Sequence, residues 1–420
     1  MASRSNDGGL GSSKPRFPDD GGFSCESDRP LKRSTSSEPD DLSRDVYGVL
    51  GIPVDAVDLP AVVQRIGQAV VRDTPFLMST PNLNFLVSSQ TDPEFRESLL
   101  RSDLCPVDGV PIVWISRLIG IPIRERVAGS DIFDCLKARK EHPATVFLFG
   151  GPEGVAETAS RVLNATASGV VCVGALYPGY CSIEEMSSDS IIDSINTSGA
   201  RFLVASLGAQ KGQAWLLHNH HRLKIPVRSH LGAAINFQAG LLRRAPLFVR
   251  KFGLEWLWRI KQEPYLWRRY FEDGKVLINL MLTSVLPLAL ERTWRRIRGT
   301  TGELWVSARG EGGISLAGMA TGNNVASAIL GFRDALAKSS QLTVDVSELR
   351  LIDARFFGLL LMVRKHLHEQ GGRLEFAGIS PRMERVFRLN RFGFLLPSRD
   401  PSRETAHLEL SSATTRQRAC

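Results

Sequence analysis

Residues 45–240 alternate short apolar runs with longer segments in which apolar residues recur at helical spacing. The short runs predict strands, at residues 75–80, 145–150, 170–175, 202–208 and 227–234. The amphipathic segments predict helices, among them residues 59–72, 93–102, 130–141, 154–165 and 213–221. Because strands separated by helices pair in parallel, we expect an α/β unit at 45–240 with a Rossmann-like, mostly parallel sheet and helices on both faces.

A second, smaller α/β pattern begins after the GTTGE turn at residues 299–303. ELWVSA and GISLAGMA predict a hairpin, and further strands are predicted at 342–347 and 373–378. The helices predicted between and after them lie at 323–337, 356–370 and 381–389. We therefore expect a separate domain at 299–398.

The segment that joins the two units, residues 241–298, is basic and rich in tryptophan. Residues 243–298 hold 13 Lys or Arg against 5 Asp or Glu, an excess equal to the formal net charge of +8 of the whole chain. Four of the seven tryptophans lie here, beside a charge-free run at 276–290. Cations, indoles and an apolar run are typical of a helical appendage that binds an anionic membrane surface. A nucleic-acid surface or a solvated helix face explains the charge but not the uncharged run, so we expect no nucleic-acid partner.

The uncharged run is too short to cross a membrane, since a spanning helix needs about 20 apolar residues. Charged residues bound it on both sides, and Pro287 interrupts it. We expect it to lie in the membrane interface or on the body of the protein. Residues 1–44 are predicted to be a disordered tail without a signal peptide, and residues 399–420 a flexible tail. The chain should thus be cytoplasmic and peripheral on the inner face of the cell membrane.

Three segments with candidate chemistry follow predicted strands, where parallel sheets bind ligands. In TPNLN, residues 80–84, Thr80 and Asn82 can bind a ligand or simply cap the next helix. In PVDGVPIV, residues 106–113, Asp108 can serve as a general base, although Asp-Gly is also an ordinary turn. In LFGGPEG, the backbone amides of Gly150 and Gly151 can bind phosphate oxygens.

Motifs of several other enzyme classes are missing from the sequence. LFGGPEG does not match GxGxxG, and neither a P-loop GxxxxGK[ST] nor a GxSxG elbow occurs. No Asp-x-Asp pair is present to clamp a metal on a nucleotide-sugar diphosphate. The histidines at 218, 220 and 221 have no ordered acidic or thiolate partners. We expect neither a metal nor a cofactor, and a nucleotide-dependent oxidoreductase is a minor alternative.

Together, these motifs resemble the WecG/TagA/CpsF family of glycosyltransferases, over residues 46–271. The resemblance rests on TPNLNF, PVDGVPIV, RVAGSD, FLFGGPEGVAE and SLGAQKGQAW, and most specifically on LGAAINFQAGLLRRAPLFVRKFGLEWLWRIKQEP…RRY. It implies transfer of a sugar from a UDP-sugar to a sugar on a polyprenyl-diphosphate carrier at the cytoplasmic membrane face, in surface or exopolysaccharide biosynthesis. It implies a metal-independent reaction, and the oligomeric state stays open, a homo-oligomer included.

The resemblance also implies roles for individual residues. Thr80, Asn82 and Asp108 match the family's active site, with Asp108 as the base that removes the acceptor hydroxyl proton. The family segment Gly-Ala-Pro-Lys-Gln-Glu reads Gly-Ala-Gln-Lys-Gly-Gln at 208–213, so the donor contacts of Gly208 and Gln213 differ from the family pattern. The diphosphates of donor and acceptor need cations, for which the candidates are Arg126, Arg244, Arg259, Arg268 and Arg269.

The second unit resembles a STAS domain, the fold of anti-sigma-factor antagonists, through LTVDVSELRLIDARFFGLLLMV at 342–363. In antagonists a phosphorylated Ser follows the Asp at the helix start, whereas here Ala354 follows Asp353. A module that docks a protein partner or senses lipid therefore fits better than a phosphorylation switch, and we expect its deletion to spare the transfer reaction. The alternative to an enzyme is a catalytically weakened scaffold, or regulatory protein, of a polysaccharide assembly complex that acts through this domain.

Overall fold

The computed structural model describes residues 40–397 except 124, 141, 142, 167, 300 and 301. The predicted tails at 1–39 and 399–420 lie outside the described residues. The prediction of disorder is wrong for residues 40–44, because Leu42 and Arg44 are buried. Arg44 forms an ion pair with the buried Asp55 at 2.8 Å, which fixes this part of the chain.

The strands and the main helices have the following bounds. The strands are β1 (Val46–Val49), β2 (Ile52–Asp55), β3 (Phe76–Met78), β4 (Ala144–Gly150), β5 (Val170–Leu176), β6 (Phe202–Ser206), β7 (Val227–His230), β8 (Leu304–Ala308), β9 (Gly313–Ala320), β10 (Gln341–Asp345), β11 (Leu349–Ile352) and β12 (Arg373–Ala377). The helices are α1 (Leu59–Arg72), α2 (Leu83–Thr91), α3 (Pro93–Leu100), α4 (Val110–Ile119), α5 (Gly129–Ala138), α6 (Val155–Ala165), α7 (Asp189–Thr197), α8 (Ala209–His218), α9 (Ala234–Gln238), α10 (Leu247–Lys251), α11 (Glu255–Gln262), α12 (Trp267–Leu280), α13 (Leu286–Ile297), α14 (Val325–Leu336), α15 (Ala354–Glu369) and α16 (Pro381–Leu389).

The first sheet has five strands in the order β3-β7-β6-β4-β5, and every pairing is parallel. Alternate residues of β4 point to opposite faces, as the period of a strand requires. Val146 and Leu148 join the core under one layer of helices, and Phe147 and Phe149 join the core under the other. The predicted α/β architecture with helices on both faces is confirmed.

The second sheet has five strands, with β9 paired to β8 in antiparallel and to β10 and β11 in parallel. The parallel pair of β10 and β12 completes it. The predicted hairpin is therefore present as β8 and β9. The strand β11, which the sequence pattern did not separate from its surroundings, lies between β10 and α15 along the chain.

An N-terminal hairpin, β1 and β2, was missed by the sequence analysis and joins the two units. Its Val46 belongs to the same apolar core as the second domain, while Val49 and Ile52 belong to the core of α2, α3 and α4. Glycines allow this close contact: a Cβ at Gly48 would lie 2.7 Å from the Cβ of Phe357, and one at Gly358 would lie 2.0 Å from the backbone oxygen of Val46. The two units therefore share their packing.

The basic segment forms short helices and then one continuous helix, Pro264–Ile297, of 34 residues. The prediction that Pro287 interrupts it is wrong. A π turn at Met281–Val285 precedes the proline, and the Leu286 N–H donates to the Met281 carbonyl. This wider turn lets the helix continue although Pro287 has no N–H to donate. Among the described residues this is the one helix long and apolar enough to cross a membrane, by length and composition only.

Candidate active site

The carboxyl ends of β3, β7, β6 and β4 meet at one edge of the parallel sheet, and most predicted site residues lie there. Thr80 and Asn82 follow β3. The segment with Asp108 is held beside them, because the Asp108 N–H donates to the Pro81 carbonyl at 2.8 Å. The segment after Arg126 is attached in turn, since the Val127 N–H donates to the Val107 carbonyl at 2.7 Å. Three separate motifs are thus brought together.

Asn82 acts at least as a helix cap. Its side-chain oxygen accepts the Phe85 N–H at 3.2 Å and fixes the start of α2. Thr80 is buried. Asn84, two residues further on, donates to the buried Asp273 of α12 at 3.4 Å and so ties this motif to the long helix.

Asp108 is half-buried among charged neighbours. Burial raises the pKa of Asp108 to about 7, Arg126 acts in the opposite direction, and the carboxylates of Glu255 and Asp131 reinforce the rise. The Gly129 N–H, at the start of α5, donates to the Asp108 carboxylate. A carboxyl group with a pKa near 7 exchanges protons at neutral pH, which is the property a general base needs.

A cluster of arginines and carboxylates surrounds Asp108. Arg126 contacts Glu255 and lies 3.4 Å from Asp131. Arg244 bonds the other oxygen of Asp131 at 2.5 Å and also contacts Asp134. Nearby carboxylates outweigh burial and raise the pKa of Arg126 and Arg244, so both stay charged. The cluster holds the basic segment against the sheet and places one permanent cation, Arg126, beside Asp108.

The other predicted cations lie elsewhere. Arg259 pairs with Glu263 within the same helical segment. Arg268 and Arg269 are exposed and lie over the rings of Trp267 and Tyr270, at 5.7 and 5.1 Å from the ring centres. These contacts place Arg268 and Arg269 on the outside of the appendage, whereas Arg259 is half-buried and lies 5.8 Å from the ring centre of Phe237 in the α/β unit. The sequence could not separate the two groups, because burial depends on how the helices turn.

Two glycine turns lie side by side at the ends of β4 and β6. Gly150 and Gly151 have φ of +98° and +85°, and the Gly151 N–H donates to the Ser206 carbonyl at 2.7 Å. Gly208, with φ of +82°, precedes α8 and has open space where a Cβ would be. The starts of α6 and α8 are not capped by side chains. Free amides at two adjacent helix starts form a suitable place for a diphosphate.

Gln213 is not at the surface of this edge but beneath it. It is fully buried, and its side-chain oxygen accepts the Ser79 hydroxyl at 3.1 Å. His230, which the sequence analysis missed, is buried nearby at the end of β7, and burial lowers its pKa to about 4. A Cβ at Gly212 would lie 2.3 Å from the His230 Cδ2. The Gly-Gln departure at 212–213 therefore makes room for His230, and Gln213 does not reach solvent as a donor ligand would.

Comparison with known proteins supports two separate assignments. Residues 47–289 match the model of the glycosyl transferase WecG/TagA/CpsF family, and residues 306–397 match the model of the Mlab, STAS domain.

Within the described residues, no group of three or more His, Cys, Asp or Glu side chains is arranged to hold a metal ion.

Similar proteins include two N-acetylglucosaminyldiphosphoundecaprenol N-acetyl-beta-D-mannosaminyltransferases. The one from Bacillus spizizenii is 28% identical over 205 residues, which cover 48% of this chain and 77% of the relative. The one from Staphylococcus aureus strain MW2 is 22% identical over 224 residues, or 53% of this chain and 85% of the relative. The structure of the Bacillus cell fate determinant SpoIIAA in its phosphorylated form covers 25% of this chain and 99% of its own, at 15% identity and a TM-score of 0.20.

Proposed function

Because the chain belongs to the WecG/TagA/CpsF family of glycosyltransferases, we propose that it transfers a sugar from a UDP-sugar to a polyprenyl-diphosphate-linked sugar. Both relatives are named for transfer to N-acetylglucosaminyldiphosphoundecaprenol, which supports an acceptor of this class. The product would be a lipid-linked intermediate of a surface or exopolysaccharide, made at the cytoplasmic face of the membrane.

The observation that carries the proposal is Asp108, a carboxyl group with a pKa of about 7 that lies between the motifs at Thr80 and Arg126. In the proposed step an acceptor hydroxyl oxygen attacks the anomeric carbon of the donor sugar while Asp108 takes the hydroxyl proton. The bond from that carbon to the UDP oxygen breaks, and UDP leaves with the electron pair. We assign to Arg126, together with Arg244 of the same cluster, the stabilisation of the negative charge that develops.

The donor diphosphate is proposed to bind at the two glycine turns, beside Gly150, Gly151 and Gly208, through the uncapped amides at the starts of α6 and α8. Amides and arginines replace a metal in this scheme. We therefore expect transfer from at least one UDP-sugar to a polyprenyl-diphosphate sugar, unchanged by excess EDTA. Incubating the purified protein with a panel of UDP-sugars and the labelled lipid acceptor, with and without EDTA, would show this as an extended lipid product.

The same panel separates the enzyme from the scaffold alternative. A folded protein that extends no acceptor with any donor would favour the scaffold. Loss of transfer in EDTA, restored by a divalent ion, would contradict the metal-independent scheme while leaving the family activity in place.

The long helix supports attachment to the membrane surface rather than a crossing. One side of it is fixed to the body, because Leu280, Val285 and Leu288 are buried in the core shared with α4. Asp273 is buried on the same side. The other side is an exposed apolar stripe (the lipid stripe) made of Trp267, Phe271, Ile278, Leu282, Leu286, Leu290, Trp294 and Ile297. A helix held along one side and apolar along the other fits the interface of a bilayer.

Replacing three aromatic residues of the lipid stripe, Trp267, Phe271 and Trp294, by Ser should weaken binding to anionic vesicles at least about tenfold, because each ring loses its burial in lipid. Vesicle sedimentation of the full-length protein measures the partition coefficient. Trp305→Ser is the matched control, since Trp305 is exposed on β8, in the STAS domain. Unchanged sedimentation of the triple variant would contradict the assignment of the stripe to lipid.

A further inference from the structure

The helix α4 has an apolar outer face that packing against the protein does not explain. Its inner side is buried through Ile112, Val113 and Ile115. Its outer side carries Trp114 and Leu118, which are 56% and 44% exposed and lie one helical turn apart. A helix that is apolar on both sides is normally covered on both sides. Something outside the described chain is therefore needed to cover Trp114 and Leu118.

The position of α4 indicates what covers it. The helix begins two residues after Asp108, and at about 1.5 Å per residue Trp114 lies about 9 Å and Leu118 about 15 Å further along the chain. Its outer face therefore starts close to the proposed base and leads away from it. When the sugar hydroxyl of an acceptor reaches Asp108, the lipid chain of that acceptor must extend away from Asp108 along the protein surface.

The neighbours of α4 are also exposed and apolar. At its start, a Cβ at Gly253 would lie 2.9 Å from Val110 Cγ1, so the loop with the exposed Phe252 lies beside it. At its end, Gly120 lies against Arg292 of the long helix. The long helix therefore runs next to α4, with its buried side in the core that the two share and the lipid stripe on its other side. The exposed Arg117 and Arg292 supply cations at the border, which suits a diphosphate or lipid headgroup above hydrocarbon.

We propose that the outer face of α4, formed by Trp114 and Leu118, binds the isoprenoid chain of the acceptor and directs its diphosphate-sugar to Asp108. This inference rests on the proposed function. The occupant is the acceptor's own chain rather than bulk lipid, because the face begins at the proposed catalytic carboxylate instead of at the outer edge of the appendage.

The test uses the full-length protein and two acceptors that carry the same sugar diphosphate, one on an undecaprenyl chain and one on a short, water-soluble alkyl chain. In detergent micelles, Trp114→Ser with Leu118→Ser should raise the KM for the undecaprenyl acceptor about tenfold or more, as expected for the loss of two apolar contacts. The KM for the short acceptor and both kcat values should change less than about twofold. Trp114→Phe should retain the preference for the long chain, and Trp305→Ser should leave both acceptors unaffected.

Equal increases of KM for both acceptors, or no increase for either, would overturn the inference. Weaker vesicle binding without an effect of chain length would also overturn it, because α4 would then contact bulk lipid. If the double Ser variant melts at a lower temperature than wild type, Trp114→Gln with Leu118→Gln removes the same apolar side chains with a residue that favours the helix more than Ser does, and gives the same comparison. A wild-type protein that turns over neither acceptor would instead refute the proposed function itself.

Discussion

Replacing Asp108 by Asn should lower kcat/KM for sugar transfer by about 10²- to 10⁴-fold, the usual contribution of a general base. Asn has nearly the same shape and keeps an acceptor oxygen for the Gly129 N–H, but it cannot take a proton. Binding of UDP and of vesicles should stay within about twofold of wild type, since neither requires proton transfer. Steady-state kinetics with the lipid acceptor, together with UDP titration, measure these quantities.

The pH dependence follows from the same residue. The pKa of Asp108 is raised to about 7, so the carboxylate that acts as base is lost as the pH falls below that value. We expect kcat/KM to fall about tenfold per pH unit below pH 7 and to level off above it. A group whose folded pKa is raised stabilises the fold at low pH and costs stability as the pH rises through that pKa. Asp108→Asn should therefore unfold at the same denaturant concentration as wild type or a higher one above pH 7.

Asp193→Asn, on the exposed side of α7, is the matched control and should change neither the rate nor its pH profile. Two results would remove Asp108 from the role of base. One is near-normal turnover by Asp108→Asn. The other is a large loss of activity accompanied by an equal loss of UDP binding, which would indicate a damaged site.

The sequence predicted the sheet well because its strands and helices carry clear periodicity. Five strands and the helix α1 lie where the pattern puts them, since buried parallel strands are continuous apolar runs. The hairpin of β1 and β2 was missed, because this two-stranded sheet is buried between the two units and its residues belong to two different apolar cores. Long-range packing of this kind leaves no local signal.

The candidate site was predictable to the extent that strand ends meet at one edge of a parallel sheet. The structure brings Thr80, Asn82, Asp108 and Arg126 together, as that rule requires. The place of His230 was not predictable from its own neighbours. The one signal was the glycine at 212, whose missing side chain leaves space for the imidazole. Such compensation joins residues far apart in the chain, so periodicity and motifs do not detect it.

The STAS domain should be required for the fold of the whole protein, contrary to the expectation that its deletion spares transfer. The buried Lys365 of α15 bonds Asp103 at 2.5 Å and Asp41 at 2.7 Å, both outside that domain. The second oxygen of Asp103 accepts the Leu77 N–H of β3 at 2.7 Å, directly before the site segment at Thr80. One lysine thus connects the STAS domain to the strand that carries the candidate site.

Lys365→Met should therefore destabilise the protein by about 3 kcal/mol, since removing one member of a buried ion pair leaves the others unpaired. Burial acts to lower the pKa of Lys365, but Asp103 and Asp41 outweigh it and raise that pKa. The stabilisation by Lys365 is therefore complete at neutral pH and is lost only as the pH rises through the raised pKa. Burial acts to raise the pKa of Asp41, but Arg44 and Lys365 outweigh it and lower that pKa below 3.8. The destabilisation caused by Lys365→Met should therefore also become smaller as the pH falls below 3.8. Urea unfolding at several pH values measures both trends.

Removing the STAS domain altogether should destabilise the protein more than Lys365→Met does. The hairpin at Val46 and Gly48 would lose its contacts with Phe357 and Phe392 in addition to the ion pairs of Lys365. We expect a chain cut after Gly299 to be insoluble or to lack protection from hydrogen exchange in β1, β2 and β3. Lys338→Met, at an exposed lysine after α14, is the matched control for Lys365→Met and should leave the free energy of unfolding unchanged. A soluble, active fragment would show that the shared core is dispensable. An inactive fragment with native protection would instead indicate that the STAS domain controls the site through β3 without stabilising it.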